Sequence, residues 1–120
     1  MRLEAEEGES VSTRKELGKI TGARYGFGGY QDAQFGLSVS LGGESWGVGD
    51  FWGMWASEPD KHKKWTRDEQ IEAHGETADR VCKLLTAARV TCVEELAGIP
   101  VEVSFEGNTL KEWRVLKEVL

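Results

Sequence analysis

Apolar and polar positions alternate most regularly at residues 34–41, QFGLSVSL, where Phe35, Leu37, Val39 and Leu41 fall on one side of the chain. A period of two sustained over eight residues predicts a strand with one buried face. Gly42-Gly43 follows, a two-residue hairpin signal. Residues 44–52, ESWGVGDFW, read as the return strand, with Trp46, Val48, Asp50 and Trp52 sharing one face and Gly47, Gly49 and Phe51 the other. Upstream, residues 17–27 place Leu17, Ile20 and Tyr25 between glycines and predict a first strand. Residues 53–64 contain Glu58-Pro59-Asp60, which is turn chemistry, and predict a loop.

The period changes at Thr66. Thr66-Arg67-Asp68-Glu69 is a capping box, a helix start in which the first hydroxyl and the fourth carboxylate satisfy each other's main chain. Gln70 stands where a hydrophobic staple would place an apolar residue. Ile71, Ala78, Val81, Leu85 and Ala88 then recur at helical spacing, so a helix is expected to about residue 89. Gly75 inside it marks either a close helix–helix approach or a break. A second capping box, Thr91-Cys92-Val93-Glu94, predicts a short helix stopped by Gly98 and Pro100. Residues 101–106 alternate again, and Gly107-Asn108 is a turn. The last segment, LKEWRVLKEVL, fits a strand through Trp113, Val115 and Val119 or a helix through Leu110, Trp113, Leu116 and Leu120; the turn before it favours the strand.

These elements predict an α+β fold: an N-terminal antiparallel β-meander, a long central helix plus a short one, and a C-terminal β-hairpin that rejoins the sheet. Residues 1–14 read as an acidic, flexible N-terminus, and residues 15–120 as a single ligand-binding domain. The long helix carries apolar or small residues on more than one side, which points to an oligomer.

Charge narrows the partners. A net charge of −6 argues against DNA or RNA polymers and against anionic membranes, since affinity for phosphate backbones comes from clustered Lys and Arg. The acidic start lacks a signal-peptide pattern and no run of 18 apolar residues occurs, so a cytoplasmic protein is expected. Cys82 and Cys92 have no metal-ligand spacing and read as reduced thiols. His62 and His74 are isolated surface histidines. No phosphate-cradling G-x-x-x-x-G-K-[ST], zinc-type H-E-x-x-H or nucleophile-bearing G-x-S-x-G is present, so the chain is expected to have no catalytic residues, no metal and no cofactor.

Recognition chemistry concentrates in residues 22–33, GARYGFGGYQDA. Gly28 and Gly29 allow main chain to approach a ligand closely. Phe27 and Tyr30 can stack on a purine ring, worth ~1–3 kcal/mol per base, and Arg24 can fork onto a phosphate. Gln31 or Asp32 can read base edges or ribose hydroxyls. The competing reading makes Tyr25 and Phe27 core and the glycines a bulge or bend. Asp50 lies on a face otherwise apolar, so it is either at an edge or meets a hydroxyl. Asn108, Trp113 and Arg114 surround the last turn, with Arg114 either solvated or a phosphate partner. Five tryptophans also suit a protein–protein surface.

The segments KITGARYGFGGYQDAQFGLSVSL, WGVGDF and VEVSFEGNTLKEWRVL resemble the phage anti-Thoeris sponge family (Thoeris anti-defence protein one) over residues 18–120. The resemblance implies a protein that is not an enzyme. It would bind a cyclic ADP-ribose isomer, or also cyclic oligonucleotides, and hold the messenger intact so that its effector stays off. It would act as a homo-oligomer, a dimer or higher, such as a hexamer, with pockets between subunits. The positions carried over are Arg24, Phe27, Asn108 and Arg114. The alternative is a phage protein–protein inhibitor or virion accessory with no small-molecule ligand.

Overall fold

The structure, a computed structural model, describes residues 13–120. Five strands form one antiparallel sheet: β1 (Thr13–Gly28), β2 (Gln34–Gly42), β3 (Gly47–Trp55), β4 (Pro100–Glu106) and β5 (Thr109–Val115). Their spatial order is β3-β2-β1-β4-β5. Among the described residues one long helix, α1 (Arg67–Ala88), connects β3 to β4. The fold is therefore α+β, with a meander first and a C-terminal hairpin that rejoins the sheet where β4 pairs with β1.

The strand β1 organises the whole sheet. Its first half, Thr13 to Lys19, pairs with β4, and its second half, Lys19 to Gly28, pairs with β2. Near that junction the register slips between Ile20 and Gly22. A bulge bends a strand and increases its twist. The sheet curls so far that its two edge strands meet: Trp113 on β5 donates its indole N–H to Asp50 on β3 at 2.8 Å.

The inner face holds the core. Leu37, Val39 and Leu41, the side picked out by alternation, are all but fully buried, together with Ile20, Val101, Val103 and Phe105. Onto this layer α1 sets Val81, Leu84 and Ala88, with Val81 and Leu84 each contributing about 1.5–3 kcal/mol of apolar burial. The capping box forms as predicted. Thr66 Oγ1 accepts from the Glu69 amide at 3.1 Å, and Glu69 accepts from the Thr66 amide at 2.8 Å. Gly75 does not interrupt the helix, which closes on Arg89 in the left-handed region (φ 61°). Gln70 is fully buried. Its Nε2 donates to the carbonyls of Trp55 and Ser57 at 2.7 and 2.8 Å, and its Oε1 accepts from Arg67. An amide replaces the expected staple because the loop entering the helix brings two carbonyls that need a donor.

Four details differ from expectation. The short second helix is only a 3₁₀ turn, Val93–Glu95. Its cap is built by Glu95 rather than Glu94: Glu95 Oε1 accepts from the Thr91 amide and hydroxyl at 2.8 and 3.0 Å. Strand β3 starts at Gly47 and continues to Trp55, because pairing with β2 carries it past the glycine taken as a loop start. The last segment is a strand only to Val115, then a 3₁₀ turn, Lys117–Val119. Of the N-terminal segment expected to be flexible, Thr13 and Arg14 belong to β1; residues 1–12 lie outside the described residues. Among the described residues no helix is long and apolar enough to cross a membrane.

Candidate ligand-binding site

The residues singled out around the first hairpin divide between its two faces. Alternation along β1, with Arg24 opposite Ser38 and Phe27 opposite Phe35, sends Arg24 to the outer face and Phe27 to the inner one. Arg24 Nη1 donates to the Phe27 carbonyl at 2.6 Å. That bond folds the guanidinium back over Gly26, where an added Cβ would sit 3.5 Å from Nη2. Among the described residues Arg24 forms no salt bridge. Its charge is positioned yet not neutralised there, and Nε and Nη2 remain free to fork onto an anion.

On the inner face Phe27 is 57% exposed. Its ring meets Phe35 edge-on at 5.4 Å, and Tyr25 meets Phe35 likewise at 5.3 Å. Tyr25 and Phe27 are thus neither core nor isolated; they form an open aromatic ledge around Phe35, which His74 of α1 meets edge-on at 6.3 Å. Tyr30 is 69% exposed, in the turn that joins β1 to β2. Gly29, Gln31 and Asp32 all take positive φ in that turn, and Gln31 and Asp32 project into solvent. Gly28 has a packing role. A Cβ there would lie 2.8 Å from Ser38 Oγ and 3.1 Å from the Phe51 ring, so the missing side chain lets Phe51 lie flat on the outer face.

Asp50 is an edge residue with three donors. Its Oδ2 accepts from the indole N–H groups of Trp52 at 2.9 Å and Trp113 at 2.8 Å, and its Oδ1 accepts from the Phe51 amide. Trp52 and Trp113 stack with centroids 5.5 Å apart, and the Arg80 guanidinium lies 3.8 Å above the Trp52 ring. Asp50 and Trp113 thereby join the two edges of the curled sheet, and a cleft of about 270 Å³ opens beside them.

At the second hairpin, Asn108 is exposed in the turn beside Gly107 (φ 64°). Arg114 is engaged by two carboxylates: Nε donates to Glu102 at 3.1 Å, while Nη1 and Nη2 donate to Glu118 at 3.2 and 3.0 Å. These bonds hold the Glu118 carboxyl down at about 2 and push the guanidinium further up from its ordinary value. An anion arriving at Arg114 must displace a carboxylate first.

Two groups therefore form within one chain: the Arg24–Tyr30 tip, and the Asp50–Trp113 clasp. The structure records no contact between the tip and Asn108 or Arg114. Sequence reasoning missed Phe35, Trp52 and Arg80. Phe35 and Trp52 were read only as core-face alternation, and Arg80 carries no signal outside the helix. Comparison with family models, curated proteins and solved structures finds no match to the chain.

Proposed function

We propose that the protein is a non-catalytic sponge for a cyclic nucleotide messenger. It takes up a cyclic ADP-ribose isomer, or a cyclic oligonucleotide, in the cytoplasm of an infected bacterium and holds it unmodified, so that the effector downstream stays off. The observation that carries this reading is Arg24: a guanidinium fixed by its own strand over bare glycine main chain, without a carboxylate partner among the described residues. The exposed rings of Tyr25, Phe27 and Tyr30 at the same end of β1 supply stacking surface. Because Arg24 and Phe27 occupy opposite faces of β1, both reach one ligand when it is enclosed between subunits, which fits a homo-oligomer with shared pockets. The likeness of residues 18–120 to the anti-Thoeris sponges points the same way.

Native mass spectrometry of the full chain with cyclic ADP-ribose isomers and cyclic di- and trinucleotides tests the proposal. An oligomer carrying intact ligand mass, released unmodified on heating, is the expected result. Arg24→Ala should lose that mass without a change in melting temperature. Turnover of the ligand overturns the sponge reading. A co-purifying protein with no bound small molecule would establish the inhibitor alternative instead.

A further inference from the structure

A wider concavity than the cleft beside Asp50 lies at the other end of the β2–β3 hairpin, against the bend of β1, away from both the Arg24–Tyr30 tip and the Asp50–Trp113 clasp. It encloses about 800 Å³, within the ~300–1,000 Å³ typical of small-molecule sites. Its wall is Trp46, held from behind by an edge-on contact with the core ring of Phe105 at 5.2 Å. Gly42, Gly43 and Gly47 also line it, and the indole packs directly on Gly43, where an added Cβ would overlap it. Leu17 stands on its lip, 69% exposed. Two opposite charges, Lys19 and Glu44, also line it. Among the described residues neither forms a salt bridge, with the other or with any third group.

We propose that this groove binds a small zwitterion bearing a planar ring, of the chemical class of a free aromatic amino acid. A flat ring of the ligand lies against the part of the Trp46 indole left open to the groove, an offset or edge-on aromatic contact. A carboxylate of the ligand meets the Lys19 ammonium, and an ammonium of the ligand meets the Glu44 carboxylate. The pairing decides against a phosphate ester, because a dianion drawn to Lys19 would also face the like charge of Glu44. It decides against a purely apolar guest, which would bury both charges without partners.

The test is a titration of the uniformly ¹⁵N-labelled full chain, following the five indole N–H resonances, with the Trp46 signal assigned from Trp46→Phe. Four probes are used: L-tryptophan, indole-3-acetate (no ammonium), tryptamine (no carboxylate) and adenosine 5′-monophosphate. L-Tryptophan should move the Trp46 signal and leave those of Trp52 and Trp113 in place. It should bind about tenfold or more tightly than either singly charged analogue, the scale of one charge-assisted hydrogen bond. Lys19→Ala should reduce L-tryptophan to the level of tryptamine. Both charged residues are exposed, so their removal leaves the fold intact. Gly47→Leu gives a second route. A Cβ there meets only the Leu41 carbonyl, at 3.8 Å, so the side chain fills the groove without strain and should abolish the shift. The proposal is overturned if the Trp46 signal stays still, if the singly charged analogues or the nucleotide bind as tightly as L-tryptophan, or if Lys19→Ala or Gly47→Leu changes nothing.

Discussion

The two halves of the sheet share β1 and little else in surface chemistry. Around β2 and β3 the outer face is nearly stripped of side chains: Gly26, Gly28, Gly36, Ser38, Ser40, Gly49 and Gly53 alternate with the inward core, and Phe51 is its one large ring short of Trp55. The cations there, Lys19 and Arg24, have no carboxylate partners among the described residues. Around β4 and β5 charges run in a connected ladder, Lys15 to Glu102 to Arg114 to Glu118, with Lys111 on Glu106 alongside. One half presents open main chain and available positive charge; the other has spent its charge on itself. Two arginines in similar aromatic sequence settings therefore have opposite availability, and cross-strand register decides which is which.

The strongest way to break this contrast is to cut what joins the halves. Asp50→Ala leaves three donors without their acceptor and should lower stability by about 3 kcal/mol, read from urea denaturation; Asp50→Asn, which keeps one oxygen, should cost less. A result within ~0.5 kcal/mol would mean the sheet edges are held by stacking alone. Next, Gly28→Val sets a side chain against Ser38 and Phe51 and should cost ~1–3 kcal/mol, whereas Gly47→Leu on the same bare face should leave the melting temperature in place. Arg24→Ala should weaken capture of the proposed cyclic nucleotide ligand about 10- to 100-fold, measured by calorimetry, and Arg114→Ala should weaken it less. Equal losses would erase the proposed difference between the two arginines.

The smallest effect concerns acid. Hydrogen bonds from Arg114 hold the folded Glu118 carboxyl at about 2, below its ordinary 4.5. Its contribution to stability is complete above pH 4.5 and fades as pH falls toward 2. The difference between the wild-type chain and Glu118→Gln should shrink across that window and also shrink in high salt, since the pair is exposed.

Much of the architecture was legible because it rests on local rules. Alternation at 35–41 found the core face, and the Thr66 capping box found the helix. What escaped depended on partners distant in sequence. Asp50 looked anomalous on an apolar face because its acceptor duty comes from Trp113, 63 residues away, which only curling of the sheet brings near. The commitment of Arg114 turns on a bulge between Ser104 and Phe105. Counting back from the Gly107-Asn108 turn without it sets Arg114 opposite Val101; the slip moves it opposite Glu102. Likewise the contact of Tyr25, Phe27 and His74 with Phe35 brings together three separate elements, which spacing along the chain does not show. Asn108 remains where the turn signal put it.

The kinked strand also sets how the molecule can come apart. Because Thr13 to Lys19 of β1 pair with β4 and Lys19 to Gly28 pair with β2, each hairpin is anchored on its own stretch of one continuous strand. Amide protons on β2 and β4 should then exchange through separate openings, while a load placed on one hairpin reaches the other only through the backbone around Lys19.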